Sequence, residues 1–186
     1  DYTISVTDVN ETPSALALSA STFAENAAGA SIGTLSATDP DTGETFTYSI
    51  SGTDKDSFEL SGTTLKLKDS VSADFEADAS YSITLTATDS ADNTVSKDYT
   101  ITVTDVNETP SALALSASTF AENAAGATIG TLSATDPDSG ETFTYSITGT
   151  DKDSFELSGT TLKLKDTFSA NFEVDASYSI TLTATD

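Results

Sequence analysis

The chain has no cysteine, histidine, methionine or tryptophan, and only seven lysines and arginines among 186 residues. Without cysteine there can be no disulfide and no thiolate metal site. Without histidine the usual near-neutral acid–base catalyst and the usual zinc ligand are both missing. No stretch is apolar enough to read as a signal peptide or a membrane span, so direct membrane insertion is not expected. So few cations against 30 Asp and Glu, a formal net charge of -23, exclude nucleic acid and anionic membranes as partners. What remains is a solvated polyanion, a cation binder, or both. Hydrophobic content is 37%, but six Tyr and nine Phe recur at regular spacing and can anchor small cores. That argues against a disordered acidic chain.

Repetition is the strongest signal present. Thr12 to Asp89 aligns without a gap on Thr109 to Asp186, a period of 109 − 12 = 97 residues. The differences are Ser31/Thr128, Thr42/Ser139, Ser51/Thr148, Ser70/Thr167, Val71/Phe168, Asp74/Asn171 and Ala77/Val174. Asp1 to Glu11 also matches Asp98 to Glu108, apart from Ser5 against Thr102. A period of this length is that of a domain and is too long for a solenoid unit. The expected organisation is residues 1–11 as the last strand and linker of a preceding repeat, 12–108 as one repeat with its linker, and 109–186 as a second lacking its last strand. The phase of this cut suggests a piece of a longer protein. It also raises strand complementation between molecules, with Asp1 to Thr7 filling the vacant strand position of another copy.

Within a repeat the periodicity is two. Phe46, Tyr48 and Ile50 share a face; so do Phe58 and Leu60, Leu65 and Leu67, and Tyr81, Ile83, Leu85 and Ala87. Tyr99, Ile101 and Val103 close the unit, and Leu16/Leu18 and Ile32/Leu35 open it. Threonine fills many of the alternate positions, where β-branching suits a strand. About seven short strands separated by Gly-, Asp- and Ser-rich turns predict an all-β, Greek-key, immunoglobulin-like sandwich for each repeat. No helix is required, and Ala24 to Ala28 reads as a turn or bulge stopped by Gly29.

Acidic residues gather at strand ends: Glu25 beside Asn26, Asp39-Pro40-Asp41, Asp74-Phe75-Glu76, and Asp89. Greek-key order sends Asp39, Asp41 and Asp89 to one pole, with Asn10 and Glu11. It sends Glu25, Asp74 and Glu76 to the other, where the chain leaves through Asp105. The connector Asp105-Val106-Asn107-Glu108-Thr109-Pro110 would therefore gather carboxylates from both repeats. Crowded like charges repel, and a hard cation with six to eight oxygen ligands removes that penalty. Neither an EF-hand loop nor a glycine-rich nonapeptide repeat is present. Asp54, Asp56, Asp69 and Asp92 read as ordinary turn residues, and Lys66, Lys68, Lys163 and Lys165 as the polar face of a strand.

These motifs, in this order and twice over, resemble tandem cadherin repeats, of the bacterial kind found in long secreted or surface adhesins. The resemblance implies Ca²⁺ at the junction. Its ligands would be Glu25, Asp74 and Glu76 from the first repeat, Asp105, Asn107 and Glu108 with the carbonyls of Val106 and Thr109 from the linker, and Asp136, Asp138 and Asp186 from the second. Asn10, Glu11, Asp39, Asp41 and Asp89 would form the receiving half of the preceding junction, and Glu122, Asn171 and Glu173 the donating half of the next. Glu108 stands where cadherins usually carry Asp. Asn171 stands where Asp74 is matched, removing a charge and predicting weaker binding there.

The expectation is a calcium-rigidified, non-enzymatic extracellular or cell-surface module that spaces or adheres, with neighbouring repeats of the same chain as its partners. A calcium-dependent polysaccharide-binding or homophilic repeat–repeat module is the alternative. The tyrosines and phenylalanines fall mostly on apolar strand faces, which favours a core over a sugar-binding platform.

Overall fold

A computed structural model describes all residues from Asp1 to Asp186, which divide into two compact units, Asp1–Val106 and Asn107–Asp186. The division falls two residues ahead of the expected boundary after Glu108. No helix is long and apolar enough to cross a membrane.

Unit 1 contains strands β1 (Ser14–Leu18), β2 (Thr22–Ala24), β3 (Ser31–Thr38), β4 (Thr47–Ser51), β5 (Phe58–Ser61), β6 (Thr64–Leu67), β7 (Ser80–Thr88) and β8 (Thr94–Thr104). A single 3₁₀ turn, Lys55–Ser57, precedes β5. Two sheets form, in the orders β1-β3-β6-β5 and β2-β8-β7-β4. Every pairing is antiparallel except β2 with β8, which is parallel. There are eight strands where seven were expected, because the opening strand breaks after Leu18 and changes sheet: β1 pairs with β3 and β2 with β8.

Alternation places the core between the sheets, as the sequence predicts. Ile83, Leu85 and Ala87 of β7, Ile101 and Val103 of β8, and Leu65 and Leu67 of β6 are all buried. Tyr81 joins the two faces, edge-on to Phe58 at 5.5 Å and stacked on Phe23 at 6.4 Å. Ile32 and Leu35 lie three apart yet both are buried. The register slips between Ser31 and Gly33, and that bulge turns the strand by one residue. Gly33 is required there: a Cβ would lie 2.6 Å from the carbonyl oxygen of Ala20. The expected turn after β2 is present, with Asn26 at φ 58°.

Unit 2 contains β9 (Ser111–Leu115), β10 (Thr128–Thr135), β11 (Thr144–Thr148), β12 (Phe155–Ser158), β13 (Thr161–Leu164) and β14 (Thr181–Thr185), with a 3₁₀ turn at Lys152–Ser154. The sheet β12-β13-β10-β9 repeats its counterpart in unit 1. The other sheet is reduced to β11 and β14. No strand of unit 2 takes the place of β8, and its neighbours change accordingly. Phe120 and Ile180 are half-buried where Phe23 and Ile83 are buried, and Leu113 is 39% exposed where Leu16 is buried.

Asp1 to Pro13 carries no strand, and Tyr2, Ile4 and Val6 are all more than nine-tenths exposed. The first residues, expected as a last strand, are therefore unpaired here. Their strand pattern needs a β7-like neighbour, and within unit 1 that position belongs to β8.

Candidate cation-binding poles

At one pole of unit 1 the β2 turn presents Glu25, only 3% exposed. Its Oε2 accepts the Phe75 N–H at 2.7 Å and its Oε1 accepts the Val106 N–H at 2.9 Å. This side chain therefore ties the loop before β7 to the chain leaving β8. Glu25, Glu76 and Asp105 each offer a carboxylate oxygen within 4.8 Å of the other two. Asp74 sits in the same loop, but its Oδ1 accepts the Ala77 N–H at 3.0 Å and closes a local turn.

The opposite pole is built on Asp89, 5% exposed at the end of β7. Its Oδ1 accepts the N–H groups of Ala91 and Asn93 at 2.9 and 2.8 Å, shaping the turn into β8. Asn10 Nδ2 lies 3.0 Å from Asp89 Oδ2, as its amide is best oriented. Asp39 Oδ1 accepts the Asp41 N–H at 3.0 Å, and Asp41 Oδ2 accepts the Glu11 N–H at 2.8 Å. Each carboxylate thus fixes the backbone of the next acidic residue, and the acids are held together by the fold. The charge of Asp41 beside it is the main cause that pushes the Glu11 carboxyl above its usual range. Asp8, Glu11 and Asp41 form a second triad of oxygens within 4.8 Å.

Unit 2 repeats this second pole. Asn107 Nδ2 donates to Asp186 Oδ2 at 2.6 Å, Glu108 N–H to Asp138 Oδ2 at 2.8 Å, and Asp138 N–H to Asp136 Oδ1 at 3.0 Å. The Glu25 pole is only partly repeated. Glu122 Oε2 accepts the Phe172 N–H at 3.0 Å, and Asn171 Oδ1 accepts the Glu173 N–H at 3.0 Å, but all three ligand candidates are exposed.

The donor chemistry of these poles suits a hard cation. Only carboxylate, amide and carbonyl oxygens are offered, and the Oδ2 atoms of Asp39 and Asp136 are buried without a hydrogen-bond partner. Ion pairs join Lys55 to Asp56, Lys66 to Glu59 and Asp69, Lys152 to Asp153, and Lys163 to Glu156 and Asp166.

The structure thus gathers Asn10, Glu11, Asp39, Asp41 and Asp89 at one pole, and Glu25, Glu76 and Asp105 at the other. Asp8 escaped the sequence reading. The signal was available, since Asp8 stands one period before Asp105 in the same Asp-Val-Asn-Glu run. Glu44 was also missed: it accepts the Ser90 N–H at 3.2 Å across the Asp89 pole.

Residues 19–104 match the family model of the cadherin domain. No curated protein matches the chain. Among solved structures, the chain is similar to extracellular cadherin domains 1–4 of protocadherin gamma B7, with 24% identity, a TM-score of 0.60, and 93% of this chain and 45% of that one covered. Domains 1–5 of protocadherin gamma B2 give 25% identity and a TM-score of 0.59, over 96% of this chain and 36% of that one. Domains EC1-2 of human protocadherin-24 give 22% identity and a TM-score of 0.68, over 94% and 87%. The chain spans less than half the length of the two gamma protocadherin chains. The fold is that of a cadherin-like immunoglobulin sandwich. None of these structures speaks for a bacterial origin.

Proposed function

We propose that the chain is a pair of tandem cadherin repeats forming an extracellular, calcium-rigidified spacer or adhesion segment of a longer surface or secreted protein. The observation that carries this reading is the Glu25 pole, where a buried carboxylate offers an oxygen within 4.8 Å of oxygens of Glu76 and Asp105. The cadherin match over residues 19–104 supports it, as does the recurrence of the receiving residues one period apart.

Glu25, Asp74, Glu76 and Asp105 would hold the ions from the first repeat. Asn107, Glu108, Asp136, Asp138 and Asp186 would hold them from the second, with the carbonyls of Val106 and Thr109. Bound Ca²⁺ would supply the positive charge that the chain lacks. The chain's own part is to pre-assemble oxygens on short turns. A connector liganded from both repeats loses its freedom, so the pair would stiffen on binding. Asn10, Glu11, Asp39, Asp41 and Asp89, with Asp8, would serve the preceding junction. Glu122, Asn171 and Glu173 would serve the next, more weakly because Asn171 brings no charge.

Thermal unfolding in calcium and in chelator tests this reading, with magnesium as control. A ligand at about 100 times its Kd adds about 2.7 kcal/mol to the state that binds it. For domains of this size that raises Tm by roughly 10–20 °C. Superimposable melting curves in calcium and chelator would contradict the proposal.

A further inference from the structure

The two sheets of unit 1 have four edge strands, β1 and β5 on one, β2 and β4 on the other. An unpaired edge presents a row of free N–H and C=O groups, and folds guard such edges with charge, bulges or brevity. Three of the four are guarded. β1 slips register between Ser14 and Ala17, holds Ala15 at φ 49°, and gives its Leu16 carbonyl to the Tyr99 hydroxyl at 3.2 Å. β5 carries Glu59, paired with Lys66. β2 is three residues long. β4, Thr47-Tyr48-Ser49-Ile50-Ser51, has no such feature: it bears no charge, and its five residues pair with β7 without a slip. β11 differs from it only at Thr148 and pairs with β14 in the same unbroken way.

The direction of the β4 backbone groups follows from the neighbouring ladder. The Val103 N–H donates to the carbonyl of Ala79, just before β7, at 2.9 Å. Odd-numbered residues of β7 therefore turn their backbone groups to β8, and even-numbered ones turn theirs to β4. Thr84, Thr86 and Thr88 stand opposite Ser51, Ser49 and Thr47. The N–H and C=O groups of Tyr48 and Ile50 thus point away from the sheet. Side chains alternate between the faces: Tyr48 and Ile50 are half-buried against the core, while Thr47, Ser49 and Ser51 are exposed on the outer face.

We propose that β4 is a docking edge for the β4 of a second copy of the chain, the two strands running antiparallel about a two-fold axis at Ser49. The occupant is a second copy because the strand is complementary to itself in that register. Tyr48 falls opposite Ile50 of the second copy, and Ile50 opposite its Tyr48. These two pairs use all the outward N–H and C=O groups of both residues, and each sets an aromatic ring beside a β-branched side chain. Ser49 meets Ser49 and Thr47 meets Ser51, so no charge enters the seam. Such a contact is isologous and closes on itself.

A seam of five residues a side is small, and the net charge of -23 opposes association at long range. The contact is therefore weak for a single edge. β11 offers the same edge, with Tyr145 and Ile147 in the places of Tyr48 and Ile50, so each molecule has two such contacts to make.

Sedimentation of the full chain in chelator, at concentrations up to about 1 mM where even a millimolar affinity pairs half the chains, tests the proposal. Chelator keeps its failure separate from that of the calcium reading. The expected result is an average mass that rises with concentration above 19.1 kDa, with slower hydrogen exchange at the Tyr48 and Ile50 amides. Ser49→Lys combined with Ser146→Lys, both at exposed positions, sets like charges opposite each other across the seam. Their Cα atoms would lie about 4.5 Å apart, well inside the Debye length of about 8 Å at 0.15 M salt. The same change makes the chain less negative, so it lowers general repulsion while opposing this contact. The double variant is expected to stay at 19.1 kDa with unchanged circular dichroism. A constant monomer mass for the unmodified chain would overturn the proposal. So would association that survives the double substitution, or that leaves the Tyr48 and Ile50 amides exchanging as they do at low concentration.

Discussion

Glu25→Ala, measured in chelator, separates what the fold needs from what a metal needs. The carboxylate is 3% exposed and accepts two backbone N–H groups, from Phe75 at 2.7 Å and Val106 at 2.9 Å. Hydrogen bonds to a charged group contribute about 1.5–3 kcal/mol each, so two would give about 3–6 kcal/mol. Val106 is 41% exposed and its N–H can turn to water, and removing a buried charge also recovers desolvation energy. The expected net loss is about 2–4 kcal/mol. At about 4 °C per kcal/mol, the low end for a domain of this size, that lowers the unit 1 transition by about 8–16 °C. Glu122 is an internal control, the same residue one repeat later. It is exposed and holds a single N–H, that of Phe172 at 3.0 Å, so Glu122→Ala should cost under about 1 kcal/mol. Differential scanning calorimetry of both variants of the full chain, at low protein concentration, gives the comparison. Equal shifts for the two would refute the claim that β8 is what makes the Glu25 carboxylate structural.

Gly33→Ala drives a Cβ to within 2.6 Å of one Ala20 backbone atom and 2.8 Å of another, and should cost about 1–3 kcal/mol in urea unfolding. Ile101→Ala, at a fully buried position, should cost about 2–5 kcal/mol and lower the unit 1 transition while leaving that of unit 2 in place. Stability should fall as pH rises past about 10, because the unfolded chain releases protons first from four groups. Burial holds the Tyr48 and Tyr81 hydroxyls above their ordinary value, Asp69 and Glu59 do the same for Lys66, and Glu156 and Asp166 for Lys163. A flat urea midpoint between pH 9 and pH 11 would contradict that sign. Asp39→Asn removes one like charge from beside Asp41 and Glu11 and should raise Tm slightly in chelator while weakening calcium binding. Loss of Tm in chelator would show instead that the charge stabilises the pole on its own.

Period-two alternation located β4 to β8 closely, because each has one face in the core and one in solvent. It blurred where backbone geometry changes the phase. The Ile32/Leu35 spacing hides a bulge, and β2 is only three residues long and pairs in parallel with a strand about eighty positions away. The poles were legible because Asp, Glu and Asn cluster at strand ends and strand order decides which ends meet. Which oxygen does what was not. Asp74 and Asp89 spend an oxygen on local turns and Glu25 spends both on the backbone, and only coordinates separate such roles from an open ligand position. Glu122 shows the same limit from the other side. Its local sequence is that of Glu25, and its exposure comes from the absence of a β8 counterpart in unit 2.

Calcium titration by calorimetry, on the full chain and on Glu76→Gln, Asp138→Asn and the double variant, tests the central claim most directly. If the two repeats contribute ligands to one shared set of ions, either substitution weakens the same binding events and the double variant loses little more than the worse single one. Absence of binding heat in the unmodified chain, or two separate losses that add in the double variant, would contradict the account.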